Sequence, residues 1–165
     1  MAVAMAGSAH GATFELRSRD VIAVEGYIEL GDCARWAALV TPAIKAVELN
    51  SPGGRAGQGE CISRSISGLR LKTIVHDKCA SICFLLFAAG AQKSACPNAR
   101  IGVHRPNDPV TRAESSDPIF LKTILEYADR YRVPGPIKAK LSGTPSRDMY
   151  WLTREDLTSM NATGC

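Results

Sequence analysis

The chain has 165 residues, with 20 Lys+Arg against 16 Asp+Glu, hydrophobic residues at 45 % and charged residues at 22 %. That length suits one domain with a real core, and that balance of apolar and charged residues excludes a mainly disordered chain. No uncharged apolar run reaches the ~20 residues that span a bilayer. The positive residues behind the net charge of +4 are scattered and leave no nucleic-acid footprint.

In chain order, residues 1–12 are small and apolar and resemble the back half of a secretory signal peptide, with Ala9-His10-Gly11 as a small-x-small cleavage site but no basic n-region. Residues 1–14 are expected to form a flexible tail or a signal-peptide remnant, and 15–165 a single domain. A strand over residues 21–29 bends at Gly26. Gly31-Asp32 opens a helix with Asp32 as N-cap and Trp36, Leu39 and Val40 on one face. A strand over 44–49 runs into Asn50-Ser51-Pro52-Gly53-Gly54, a strong turn signal. Ile62, Ile66 and Leu69 place a helix over 57–69. A strand over 71–76 and a short link, 77–80, lead to a buried helix over 81–91. Residues 100–104 form a strand, 107–117 a polar loop. Phe120, Ile124, Tyr127 and Tyr131 mark an amphipathic helix broken by Pro134-Gly135-Pro136. A short helix over 152–160 has Thr153 as cap and Asp156 three residues on, a capping-box pattern. Strands alternating with helices imply βαβ units in a mostly parallel sheet, where ligands sit at the carboxyl ends of strands.

Three places near strand ends carry chemistry. Pro52-Gly53-Gly54 offers backbone N–H groups where glycine allows close approach: half of an oxyanion hole, a lip for a peptide, or a plain turn. It lacks the Lys of a phosphate-binding loop, which removes ATP binding from consideration. Ser81 stands at a strand-to-helix junction, as an N-cap, a small packing residue or a nucleophile with the Ile82 N–H facing an oxyanion. His104 ends an apolar strand, a place suited to acid–base work. Asp148 stands in a loop before Tyr150-Trp151. Six cysteines (Cys33, Cys61, Cys79, Cys83, Cys96, Cys165) permit disulfides if the protein is exported, and buried thiols otherwise. His76, Cys79, Cys83, Cys96 and His104 match no standard zinc spacing, so no metal site is assigned.

The order Asn50-Ser51-Pro52-Gly53-Gly54, then Ala80-Ser81-Ile82-Cys83-Phe84-Leu85-Leu86-Phe87, then Gly102-Val103-His104-Arg105-Pro106, resembles the proteolytic subunit of the Clp protease and the wider Clp/crotonase superfamily. Arg147-Asp148-Met149-Tyr150 resembles the segment with that family's catalytic Asp. The resemblance implies an α/β, Clp/crotonase-like βαβ superhelix. It implies Ser81 as nucleophile, His104 as general base and Asp148 as the acid that orients it. Gly54 and Ile82 become the oxyanion donors, and Gly53 and Arg55 substrate-binding residues. The expected function is an ATP-independent serine peptidase acting on small or unfolded peptides, without cofactor. The expected partners are a peptide or protein substrate and further copies in a homo-oligomer, with no nucleic acid, membrane span or evident unfoldase.

Cys79 and Cys83 beside the nucleophile depart from the proteolytic subunit and look like exported, periplasmic relatives; a cytoplasmic location is the alternative. Competing readings are a catalytically silent peptide-binding module, a crotonase-type acyl-CoA enzyme, and a Ser–Lys dyad drawing on Lys78, Lys93 or Lys122.

Overall fold

A computed structural model describes residues 11–108 and 110–165. The signal-peptide expectation for residues 1–10 lies outside the described residues. From residue 11 the chain is already part of the fold. Ala12 is buried and its N–H donates to Asp32 Oδ2 at 2.9 Å. A strand that the sequence reading missed, β1 (Thr13–Ser18), pairs antiparallel with β2 (Val21–Glu25). The boundary expected at residue 14 therefore falls inside β1. Its residues are mostly exposed and polar, so no burial pattern announces it.

Asp32 opens helix α1 (Asp32–Leu39), but Gly31, at φ 89°, holds the cap position. The buried Asp32 carboxylate instead accepts from the Ala12 and Glu29 amides and pairs with Arg35. It ties the β1–β2 hairpin to the helix. Then follow β3 (Ala46–Ser51), α2 (Ala56–Gly68) and β4 (Lys72–Ala80). Strand β4 continues through the segment expected as a link. It is bulged opposite β3 between Leu49 and Ser51, which accommodates the polar residues 76–78, and regains pairing at Ser51↔Cys79.

Helix α3 (Cys83–Ala88) is shorter than expected. Every one of its residues is buried, so periodicity could not mark its ends. Gly90 lets the chain press onto β4, where a Cβ would stand 2.3 Å from Thr73 Oγ1. Next come β5 (Gln92–Ala95), unforeseen, and β6 (Arg100–Val103). Asp117 caps α4 (Pro118–Arg130), and α5 (Gly135–Gly143) carries its proline in the first turn, where the missing N–H costs nothing. Pro134-Gly135-Pro136, expected only as a break, also opens that helix. The chain finishes with β7 (Tyr150–Trp151), α6 (Arg154–Ser159) and β8 (Ala162–Thr163). The Thr153–Asp156 capping box in front of α6 makes both of its bonds.

The sheet runs β1-β2-β3-β4-β5-β8, with β6 paired to β4 and to β7. Pairs β2–β3, β3–β4, β4–β5, β4–β6 and β5–β8 are parallel; β1–β2 and β6–β7 are antiparallel. One side of β4 is thus shared, β5 taking residues 72–75 and β6 residues 78–80. The core packs Trp36, Phe84, Phe87 and the aliphatic residues of β2, β3 and α2 against one another. Glu60 of α2, 4 % exposed, pairs with Arg64 and Arg130 and accepts from the Tyr131 hydroxyl at 3.0 Å. This anchors the carboxyl end of α4 beside α2.

Candidate active site

Ser81 follows the last residue of β4 and precedes α3. It is not an N-cap: Ile82 holds that position, and no side chain caps the helix. Its backbone is left-handed, φ 58°, a state that costs a non-glycine residue about 1–3 kcal/mol and persists only where surroundings enforce it. Here the Ser81 N–H donates to Gly102 O at 3.0 Å, and Ser81 O accepts from the Phe84 N–H at 2.9 Å. Sharp strand-to-helix turns of this kind expose a serine Oγ. Ser81 is half-buried.

The glycine pair presses on this turn. Gly53, φ 106°, lies so close that a Cβ would stand 2.6 Å from Ser81 Cβ. Gly54, φ 146°, bridges Ile28, and a Cβ there would meet Ile28 O at 2.1 Å. Ser51 Oγ accepts from the Gly53 N–H at 3.1 Å and holds the turn from within. Among the described residues, the N–H groups of Gly54 and Ile82 donate to no backbone carbonyl.

Ser81, Ile82, Gly54, Arg55 and His104 line one cavity of about 290 Å³. The remaining wall is mainly apolar, with Leu30, Phe84, Leu85, Phe120, Ile124 and Leu141. Helices α4 and α5 thus supply part of the wall, which the sequence reading did not foresee. Arg55 also pairs through Nε with Glu29 Oε2 at 3.1 Å. Gly53 shapes the cavity through Ser81 without lining it.

His104 follows β6 and is half-buried; its Nδ1 is buried and has no hydrogen-bond partner among the described residues. Desolvation by burial holds the imidazole below its ordinary 6.5, opposed by a ring hydrogen bond to the Arg105 backbone and by the charge of Glu114. The ring is therefore neutral at pH 7, the form a general base needs.

The segment with Asp148 runs beside His104, because Tyr150 of β7 pairs with Val103 of β6. The carboxylate itself does not reach the imidazole. It is 58 % exposed, with Arg147 Nε at 3.9 Å, and lies outside the cavity. The structure thus brings Ser81, His104, Gly54 and Ile82 together and leaves Asp148 apart. The carboxylate whose charge acts on His104 is Glu114, a residue the sequence reading missed. Glu114 pairs with Arg105 Nη2 at 2.6 Å and accepts from the Ser146 N–H at 2.7 Å. Only its place in the polar loop pointed to it. None of Lys78, Lys93 and Lys122 lines the cavity.

All six cysteines are paired: Cys33–Cys61, Cys79–Cys83 and Cys96–Cys165. The zinc arrangement set aside in the sequence would draw on Cys79, Cys83 and Cys96, all engaged in these bridges. No described helix is long and apolar enough to cross a membrane.

Two solved structures share this architecture. A variant of ClpP1 from Listeria monocytogenes superposes with a TM-score of 0.59 at 17 % identity, over 88 % of this chain and 91 % of that one. A variant of the membrane-bound stomatin-specific protease 1510-N superposes with a TM-score of 0.66 at 16 % identity, over 88 % of this chain and 80 % of that one. These likenesses establish the fold, an open, mostly parallel sheet of the Clp/crotonase kind. The family model for Clp protease matches residues 43–131, which include the glycine turn, Ser81 and His104. On that match over more than half of its length, the chain belongs to the Clp protease family.

Proposed function

We propose that this protein is an ATP-independent serine peptidase that cleaves small or unfolded peptides. The observation that carries the reading is the strained left-handed turn that exposes Ser81 in the same cavity as a neutral, half-buried His104. In this mechanism His104 takes the proton from Ser81 Oγ as that oxygen attacks the peptide carbonyl. The N–H groups of Gly54 and Ile82 receive the oxyanion; one such donor commonly contributes ~10²–10³ in turnover. His104 then protonates the leaving amine, and water releases the acyl group from Ser81. The apolar wall suits a substrate with an apolar side chain next to the cleaved bond. Asp148 serves as the orienting acid once its segment closes on His104 Nδ1, since catalytic hydrogen bonds often tighten only with substrate bound. Three disulfides favour an oxidising, exported location. Assembly into a homo-oligomer belongs to the same proposal.

A second reading, a silent peptide-binding module, draws on one observation: among the described residues His104 Nδ1 has no hydrogen-bond partner, and Asp148 is turned outward. Fluorophosphonate labelling followed by intact mass separates the two. The peptidase reading expects one adduct on the wild type and none on Ser81→Ala. A folded wild type without an adduct supports the binding module.

A further inference from the structure

The turn that carries Ser81 sits inside a covalent ring. Cys79, next to last in β4, and Cys83, first in α3, are bonded at a sequence separation of 4, with Ser81 midway between them. Both cysteines are fully buried. The bridge spans the point where the chain leaves the sheet and enters the helix.

What else holds the turn is modest. Helix α3 has six residues and no side-chain cap. A helix this short does not stabilise its own first turn, because nucleation costs more than a few bonds return. One backbone bond on each side of Ser81 and the close contact with Gly53 complete the restraint. A non-glycine residue in the left-handed region needs surroundings that over-determine it. A five-residue ring closed by a disulfide removes most alternative paths between β4 and α3.

We propose that the Cys79–Cys83 disulfide is a positioning element for the nucleophile. It fixes the left-handed turn, and through it the places of Ser81 Oγ and the Ile82 N–H. The inference rests on the serine peptidase reading. It assigns the bridge a task distinct from that of Cys96–Cys165, which joins the end of β5 to Cys165 away from the cavity.

The test is the kinetics of fluorophosphonate inactivation on the full chain, resolved into a maximal rate constant and a half-saturating concentration. Three proteins are compared: wild type, Cys79→Ala/Cys83→Ala and Cys96→Ala/Cys165→Ala. The proposal expects the maximal rate of the first variant to fall about 10²-fold, the loss that a misplacement of about 1 Å commonly causes. Its half-saturating concentration, set by the apolar cavity, stays at the wild-type value, and the second variant behaves as wild type. An unchanged maximal rate in Cys79→Ala/Cys83→Ala overturns the proposal and leaves the peptidase reading standing. A wild type that never labels overturns both.

If removing the buried pair prevents folding, the wild type itself supplies the answer. Dithiothreitol opens a bridge with two electrons, yielding two thiols and its own cyclic disulfide. Partly reduced protein is labelled, then unfolded, alkylated with iodoacetamide and mapped. The proposal expects labelled molecules to retain Cys79–Cys83, whatever the state of Cys96–Cys165. Labelled molecules with Cys79 and Cys83 alkylated, in proportion to their share of the sample, overturn it.

Discussion

Ser81 and Asp148 stand at two junctions held in opposite ways. Around Ser81 the chain is fixed by a strand bond to Gly102, a helix bond from Phe84, a glycine in close contact and a disulfide that encircles it. Around Asp148 the chain rests on the Asp148 N–H bond to Pro145 O, on a two-residue strand and on the polar bridge from Glu114 to Ser146. In the proposed mechanism the nucleophile is built in advance, while its acid is left to be brought in. The more strained geometry thus has the heavier restraint, as strain requires.

The predictions press on that contrast. His104→Ala should have the largest effect, a loss of about 10⁴-fold or more in peptide turnover, because it removes the proposed base from an otherwise intact turn. Gly53→Ala should cost about 10²–10³-fold by driving a methyl group into Ser81, with the melting temperature reporting a smaller disturbance. Asp148→Asn and Glu114→Gln, measured side by side, sharpen the comparison. Asp148→Asn should lower turnover by about 10²-fold or more if its segment closes, and Glu114→Gln by only a few-fold, about what a lost surface ion pair returns. The reverse order would transfer the acid role to Glu114.

The acid limb of kcat/KM should turn below pH 6.5, since burial depresses the His104 imidazole and the active neutral form survives into mild acid. An inflection at or above 6.5 would place a carboxylate on Nδ1 in the working enzyme. Glu60→Gln should touch the chemistry least. It loosens the anchor of α4 beside α2, lowers stability by about 1–3 kcal/mol, and raises the half-saturating concentration for apolar probes while the maximal rate holds.

Much of this was legible in the chain. Apolar strands ending in glycine, serine and histidine led to the parallel sheet and to three corners of the site. The short, polar strands were not legible: β1 exposes nearly all its residues, and β5 has four. In sequence Asp32 reads as a helix cap, yet its partners Ala12 and Glu29 come from outside the helix it begins. The outward turn of Asp148 and the entry of Glu114 depend on how one polar loop folds back. Residue order carries little of that information, since the bridges from Arg105 and Ser146 form only in three dimensions.

The division of β4 between two neighbours has an evolutionary consequence. Beyond residue 75 the sheet forks: one branch, β5 with β8, contributes nothing to the cavity, and the other, β6 with β7, leads to His104 and toward Asp148. Substitutions on the first branch reach the cavity only through the fold. In the proposed mechanism substitutions on the second must also keep a proton path in register, so the two sides of one fork would evolve under different constraints.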